Sequence, residues 1–199
     1  MSSRTRKLIF VVVFALMAGG GYATSRFWDV FGDEIPQAFT DARLQGAIIA
    51  QNIVNLSNQS VQDLARVNDL DREGNTEDAL RLTAELIARS KEIRDEAISL
   101  STQVGTMTKA LSEIGSFEAR QAALESIANR LALISRLINY SGYLGQLLDV
   151  LRTRFDGGYV KYGEAGRLID QINAEVRAIN NFNGQAAQAM ERFDGIVNK

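Results

Sequence analysis

The sequence contains no cysteine, no histidine and a single proline, Pro36. Without cysteine no disulfide can form, and the redox compartment leaves no trace in the composition. Together the two missing residue types exclude thiol nucleophiles, histidine general bases, zinc sites of the usual kind and covalent haem attachment. They also exclude a lipid-modified leader cysteine and the Glu-x-x-His motifs of a ferritin-like metal centre. Charge of one sign is scarce as well. The formal net charge of −2 gives no reason to expect a nucleic-acid partner, which normally meets a clearly basic surface. No phosphate-binding glycine loop is present, because Gly19-Gly20-Gly21 lacks the following G-K pattern.

Carboxylates are then the only strong catalytic groups, and they lie opposite the apolar seams or beside arginines, as in Glu85 and Arg89. No catalytic pair stands out, so the chain reads as non-enzymatic, with no catalytic, cofactor-binding or metal-ligating residues. A calcium loop is suggested by Asp69, Asp71, Glu73 and Gly74, but its twelfth position, which should be a bidentate acid, is Leu80. Asn55, Asn58 and Asn139 match the glycosylation pattern, yet they fall within helical stretches where a loop acceptor is not expected.

After Pro36 nothing forbids a helix. With 46% hydrophobic and 23% charged residues in 199, the chain has material for one well-filled core. The clearest pattern is a heptad seam over residues 76–114. It runs Ala79, Thr83, Leu86, Ser90, Ile93, Ala97, Leu100, Val104, Met107, Leu111 and Ile114. A seam repeating every 3.5 residues needs partner helices wound beside it.

Three further stretches supply them. Residues 36–73 carry two stripes, Ile49–Ile53–Leu56 and Ala47–Val54–Val61–Leu64, with an amide-rich face that reads as solvated. Residues 117–154 carry a wide apolar face made of two adjacent stripes. One includes Leu124, Ile127, Leu131 and Ile134; the other is Leu133, Leu137, Tyr140, Leu144, Leu147 and Leu151. Residues 159–197 carry the seam Ile169, Ile172, Val176, Ile179, Asn183, Ala186, Met190, Phe193 and Val197. There Asn183 either fixes register from inside or lies at a seam edge facing water. Gly74-Asn75, Gly115-Ser116 and Asp156-Gly157-Gly158 separate the four.

Helices of about 38 residues, roughly 57 Å each, joined by two or three residues must alternate in direction. The expected fold is all-α, an antiparallel up-down-up-down four-helix bundle preceded by an N-terminal transmembrane helix. The rival is a pair of long hairpins that closes only by oligomerising.

The membrane expectation rests on the start of the chain. Arg4, Arg6 and Lys7 precede eleven apolar residues, Leu8 to Ala18, and about 18 uncharged residues separate Lys7 from Arg26. Residues 1–7 then form a cytoplasmic basic flank, 8–25 a transmembrane signal-anchor, 26–35 a juxtamembrane connector with Phe27, Trp28 and Phe31 at the interface, and 36–199 an extracytoplasmic bundle. Gly21-Tyr22-Ala23 equally suits signal-peptidase cleavage, which would release a secreted helical protein. On the first reading the protein is single-pass in the cytoplasmic membrane, its N-terminus inside and its bundle periplasmic or extracellular, touching lipid through 8–25.

The end of the bundle far from the membrane combines an acidic turn with Phe155, Gly157, Gly158, Tyr159, Lys161 and Tyr162. Phe155, Tyr159, Lys161 and Tyr162 are the candidate contacts for a protein partner. The alternative is that the tyrosines cover the core's end. The functional expectation is a scaffold, spacer or partner-binding module. A ligand-binding sensor working through a separate membrane partner is the second reading, and it rests on fold analogy.

Overall fold

The computed structural model describes residues 35–198. The basic flank, the apolar leader 8–25 and all of the connector except Ile35 lie outside the described residues. Four long helices account for nearly all that is described: α1 (Gln37–Glu73), α2 (Thr76–Ala110), α3 (Phe117–Phe155) and α4 (Glu164–Val197), with one 3-10 turn at Leu111–Glu113. Among the described residues there is no strand, and no helix long and apolar enough to cross a membrane.

Local chemistry sets the ends of these helices. Pro36 is the N-cap of α1, and its carbonyl accepts from the Phe39 and Thr40 amides. The last turn of α1 closes with two bonds, Asn75 N–H to the Leu70 carbonyl at 3.0 Å and Gly74 N–H to Asp71 at 3.3 Å. That closure needs a left-handed residue, and Gly74 takes it with φ 75°. Asn75 then caps α2 by accepting from the Asp78 amide, and Ser116 caps α3 by accepting from Ala119. Both caps stand where the sequence puts them. At the end of α2 the helix tightens into the 3-10 turn, so the α-helix stops at Ala110 instead of continuing to Ile114.

The α2 seam is buried almost in full, from Ala79 through Met107, with Ala110 taking the place of the half-buried Leu111 and Ile114 closing the row. Its neighbours alternate in direction. Asp63 of α1 pairs with Arg89 of α2 at 2.6 Å, and Glu125 of α3 pairs with Arg192 of α4 at 2.6 Å. Ser126 donates to the Ala186 carbonyl of α4 at 2.9 Å. The shared interior runs from Phe39, Met107 and Phe193 at one end to Val67, Leu86 and Leu168 toward the other.

Three expectations are corrected. The start of helix four moves from 159 to Glu164, because Gly163 sits at φ 81°, outside helical geometry, and the chain crosses from α3 to α4 over residues 156–163. The connection is thus much longer than two or three residues. In α3, Leu124 and Leu131 are 54% and 49% exposed. The buried arc is centred on Ala123, Ile127, Ile134, Leu137, Leu144 and Leu148, which leaves the other edge of the wide apolar face turned to solvent. In α1 the buried seam is Phe39, Ala42, Gly46, Ile53, Ser57, Ser60 and Val67, so the stripes read from large apolar residues follow it only in part. Asn183 lies half-buried at the edge of the α4 seam.

Candidate functional site

Among the described residues, aromatic and charged side chains link the first and last helices at one end of the molecule. There Phe39 and Phe193 stack with ring centroids 5.3 Å apart, and Arg43 grips Asp194 through two bonds of 2.6 and 2.7 Å. A planar guanidinium on a carboxylate in two-point contact is among the stronger polar links available at a half-buried position. Toward the other end, where α1 finishes and α4 begins, the two helices leave a cleft of about 230 Å3 between them.

The cleft has three walls. α1 contributes Val61, Leu64 and Val67, α3 contributes Leu144, Leu147, Leu151 and Phe155, and α4 contributes Ile169 and Ile172. At its outer end Asp71 and Arg154 engage each other at 2.9 Å, so neither charge is directed into the apolar space. At its inner end lie Ser60, Tyr140 and Asn173. Ser60 is occupied, donating to the Leu56 carbonyl of its own helix at 2.8 Å. Tyr140 is buried, and burial pushes its phenol up to about 12, against a smaller opposing pull from a hydrogen bond with Ser57.

Asn173 is the exception in this wall. It is 6% exposed, and neither its amide nitrogen nor its carbonyl oxygen has a hydrogen-bond partner. Leaving one buried polar atom unsatisfied costs on the order of 1–3 kcal/mol, and here one side chain carries two. Asn68, also on the cleft wall, has an unpartnered carbonyl oxygen. Native interiors hold few such groups, and they call for an explanation at the site where they occur.

Elsewhere the polar interior is weakly tied. Glu175 of α4 is buried, with Arg136 at 3.6 Å from one carboxylate oxygen and Asn139 donating to the other at 3.4 Å. The first of these exceeds hydrogen-bond distance, so that oxygen makes an ion pair without a hydrogen bond. Among the described residues no cluster of three or more acids is arranged to hold a metal ion.

The sequence-derived contact residues divide between two places. Phe155 lines the outer cleft, half-buried. Tyr159 and Tyr162 stand in the 156–163 connection almost wholly exposed, with Lys161 exposed between them. The tyrosines therefore do not cover the end of the core, which was the alternative reading. Because α3 ends at Phe155 and α4 opens at Glu164, this connection hangs at the mouth of the cleft.

Sequence reasoning missed the cleft and Asn173. The available signal was that Asn173 follows Ile169 by four residues, which puts it on the same face beside the seam. The seam drew attention instead to Asn183. Compared with protein-family models, with curated proteins and with solved structures, the chain matches none.

Proposed function

We propose that this protein is a non-enzymatic binding module, a four-helix bundle tethered by residues 8–25 to the outer face of the cytoplasmic membrane and working at the end farthest from the bilayer. The observation that carries this reading is the asymmetry between the two ends of the α1–α4 pair. One end is locked by Phe39–Phe193 and Arg43–Asp194; the other is parted around an apolar cleft with two exposed tyrosines at its mouth. A spacer has no need of such an opening, whereas a module that receives something has. On this reading α1 leads away from the tether, so that the cleft, Tyr159 and Tyr162 belong to the distal end and the locked pair to the proximal end.

Tether and orientation are tested together by fractionating membranes, sequencing the mature N-terminus and shaving intact cells or spheroplasts with protease. The expected result is a chain with its leader retained, found in the membrane fraction and cut from outside. A chain recovered from the cytoplasm with an intact leader contradicts the proposal. Recovery from the medium or periplasm with cleavage near residue 23 replaces the tether by secretion and leaves the binding end as described.

A further inference from the structure

We infer that the outer face of α3 packs in parallel against the same face of a second copy of this chain. The pairing face is separate from the distal cleft, and only its parallel direction draws on the tether proposed above.

The face is a second seam on α3, turned away from the core. Phe117, Leu124, Leu131 and Ile138 recur every seven residues, and Gln121, Ala128, Ser135 and Gly142 fall between them at 4–3 spacing. Phe117 is 68% exposed, and of the six large apolar side chains exposed on the described helices three lie on this line. Ile138 is half-buried, and the next position in the row, Gly145, lies against α2, where a Cβ would stand 3.6 Å from the Ser90 Oγ. A seven-residue repeat drifts round a straight helix in this way, so the open part of the seam ends near Ile138. From 117 to 138 it is roughly 32 Å long.

None of these eight positions carries a charge. A solvated helix face is where charge normally collects, as Lys91, Glu92, Arg94 and Asp95 do on α2. Leucine in one row with small residues in the other lets two such helices approach closely, and a polar residue such as Gln121 within the seam fixes register.

The charges that border the seam favour a second copy and give its direction. Arg120 stands on one border, Glu118 and Glu125 on the other. Among the described residues Arg120 has no ion-pair partner, and Glu125 uses one carboxylate oxygen on Arg192. In a parallel pair each border meets the opposite border of the other helix about five residues on. That sets Arg120 against Glu125 of the second copy, and two-fold symmetry repeats the contact. In an antiparallel pair like borders meet, and the border of Arg120 continues through Ile127, Ile134 and Ser141, none of them acidic. Two copies rooted in one membrane also hold their α3 helices in the same direction. The acidic border argues against an anionic lipid surface as the occupant.

The chain has no cysteine, so single introduced ones report cleanly. Ala128→Cys and Ser135→Cys are placed separately in the full chain and oxidised mildly in the membranes of the expressing cells. Parallel pairing brings each of these positions against its own copy within disulfide reach. Both variants are expected to give disulfide-linked dimers, and Glu92→Cys on the exposed side of α2 is expected to give none. An antiparallel pair self-links only where its two-fold axis passes, so it yields at most one of the two. Arg120→Glu and Glu125→Arg each set like charges together and are expected to lower the Ser135→Cys dimer yield about fivefold. Combining the two reversals is expected to restore the yield, which a folding defect would not do.

Dimers from neither cysteine or from only one, equal dimers from Glu92→Cys, or no restoration by the double reversal overturns the inference. Fractionation reports on the tether separately. Both disulfides formed in a secreted chain uphold the pairing face and remove only the membrane's part in aligning it.

Discussion

Arg130 of α3 lies partly buried beside Arg43 of α1, and among the described residues no carboxylate comes within ion-pair distance of it. Burial first, and the Arg43 charge second, bring its guanidinium down to about 10. Its weak bond to the Ser126 hydroxyl, 3.4 Å, offsets little of that. Arg130→Met keeps the stem and removes the charge. It should stabilise the fold by about 1 kcal/mol, read as a higher urea midpoint at unchanged slope; a lower midpoint would show that the charge has a use.

Tyr140 yields a prediction in pH. Its phenol titrates near 10 when unfolded and near 12 when buried, so between those values the folded chain holds a proton that the unfolded chain has lost. The stability this represents is fully present below about pH 10 and disappears as the pH rises toward 12. Its size is on the order of 2 kcal/mol. Comparing wild type with Tyr140→Phe in alkaline denaturation isolates it: the variant should lose less stability across that window, and parallel curves would contradict the assignment. Single residues were the least legible scale in the sequence. Nothing about Asn173 or Arg130 differs in type from the exposed amides and arginines around them; only the packing of α1, α3 and α4 makes them unusual.

At the scale of elements, the helices differ in how openly their buried faces show. In α2 the seam residues are large or regularly spaced, and the sequence reading follows them nearly residue by residue. In α1 the seam is carried by Ala42, Gly46, Ser57 and Ser60, which count as small or polar and so hide the same 3–4 rhythm. Small residues there let α2 come close, since a side chain at Gly46 would meet the Leu100 Cδ1 at 3.4 Å. Gly46→Ala therefore just fits and gains helix propensity, for a stabilisation of about 0.5–1 kcal/mol. Gly46→Leu has no room and should cost about 1–3 kcal/mol. Thermal melts of the two variants check the pair; a gain from both would mean that α1 and α2 stand farther apart at this point. The misplaced start of α4 has a similar origin. Residues 159–162 contain nothing that forbids a helix, and it is the left-handed turn at Gly163 that ends the connection.

At the scale of the molecule, the four-helix organisation was legible because one proline, two capped turns, one glycine-rich break and four apolar faces all agree on it. The cleft was not, because every helix keeps an apolar face whether or not its neighbour comes close enough to cover it. Cleft wall and core use the same kinds of residue, and Leu144, Leu147 and Ile172 belong to both. What separates the two ends of the bundle is a pair of contacts 151 and 154 residues apart in sequence, Arg43–Asp194 and Phe39–Phe193, which no local pattern announces. The working-end proposal is a statement about that asymmetry.

Site-specific photocrosslinking in cells tests it most directly. A photoreactive side chain is placed in turn at Tyr159 and Tyr162 on the cleft's mouth, and at Glu92 and Lys109 on the exposed surface of α2. A discrete crosslinked species from both tyrosine positions, with none from Glu92 or Lys109, is the expected result. Adducts formed equally from all four positions, or from α2 alone, would contradict a distal working end.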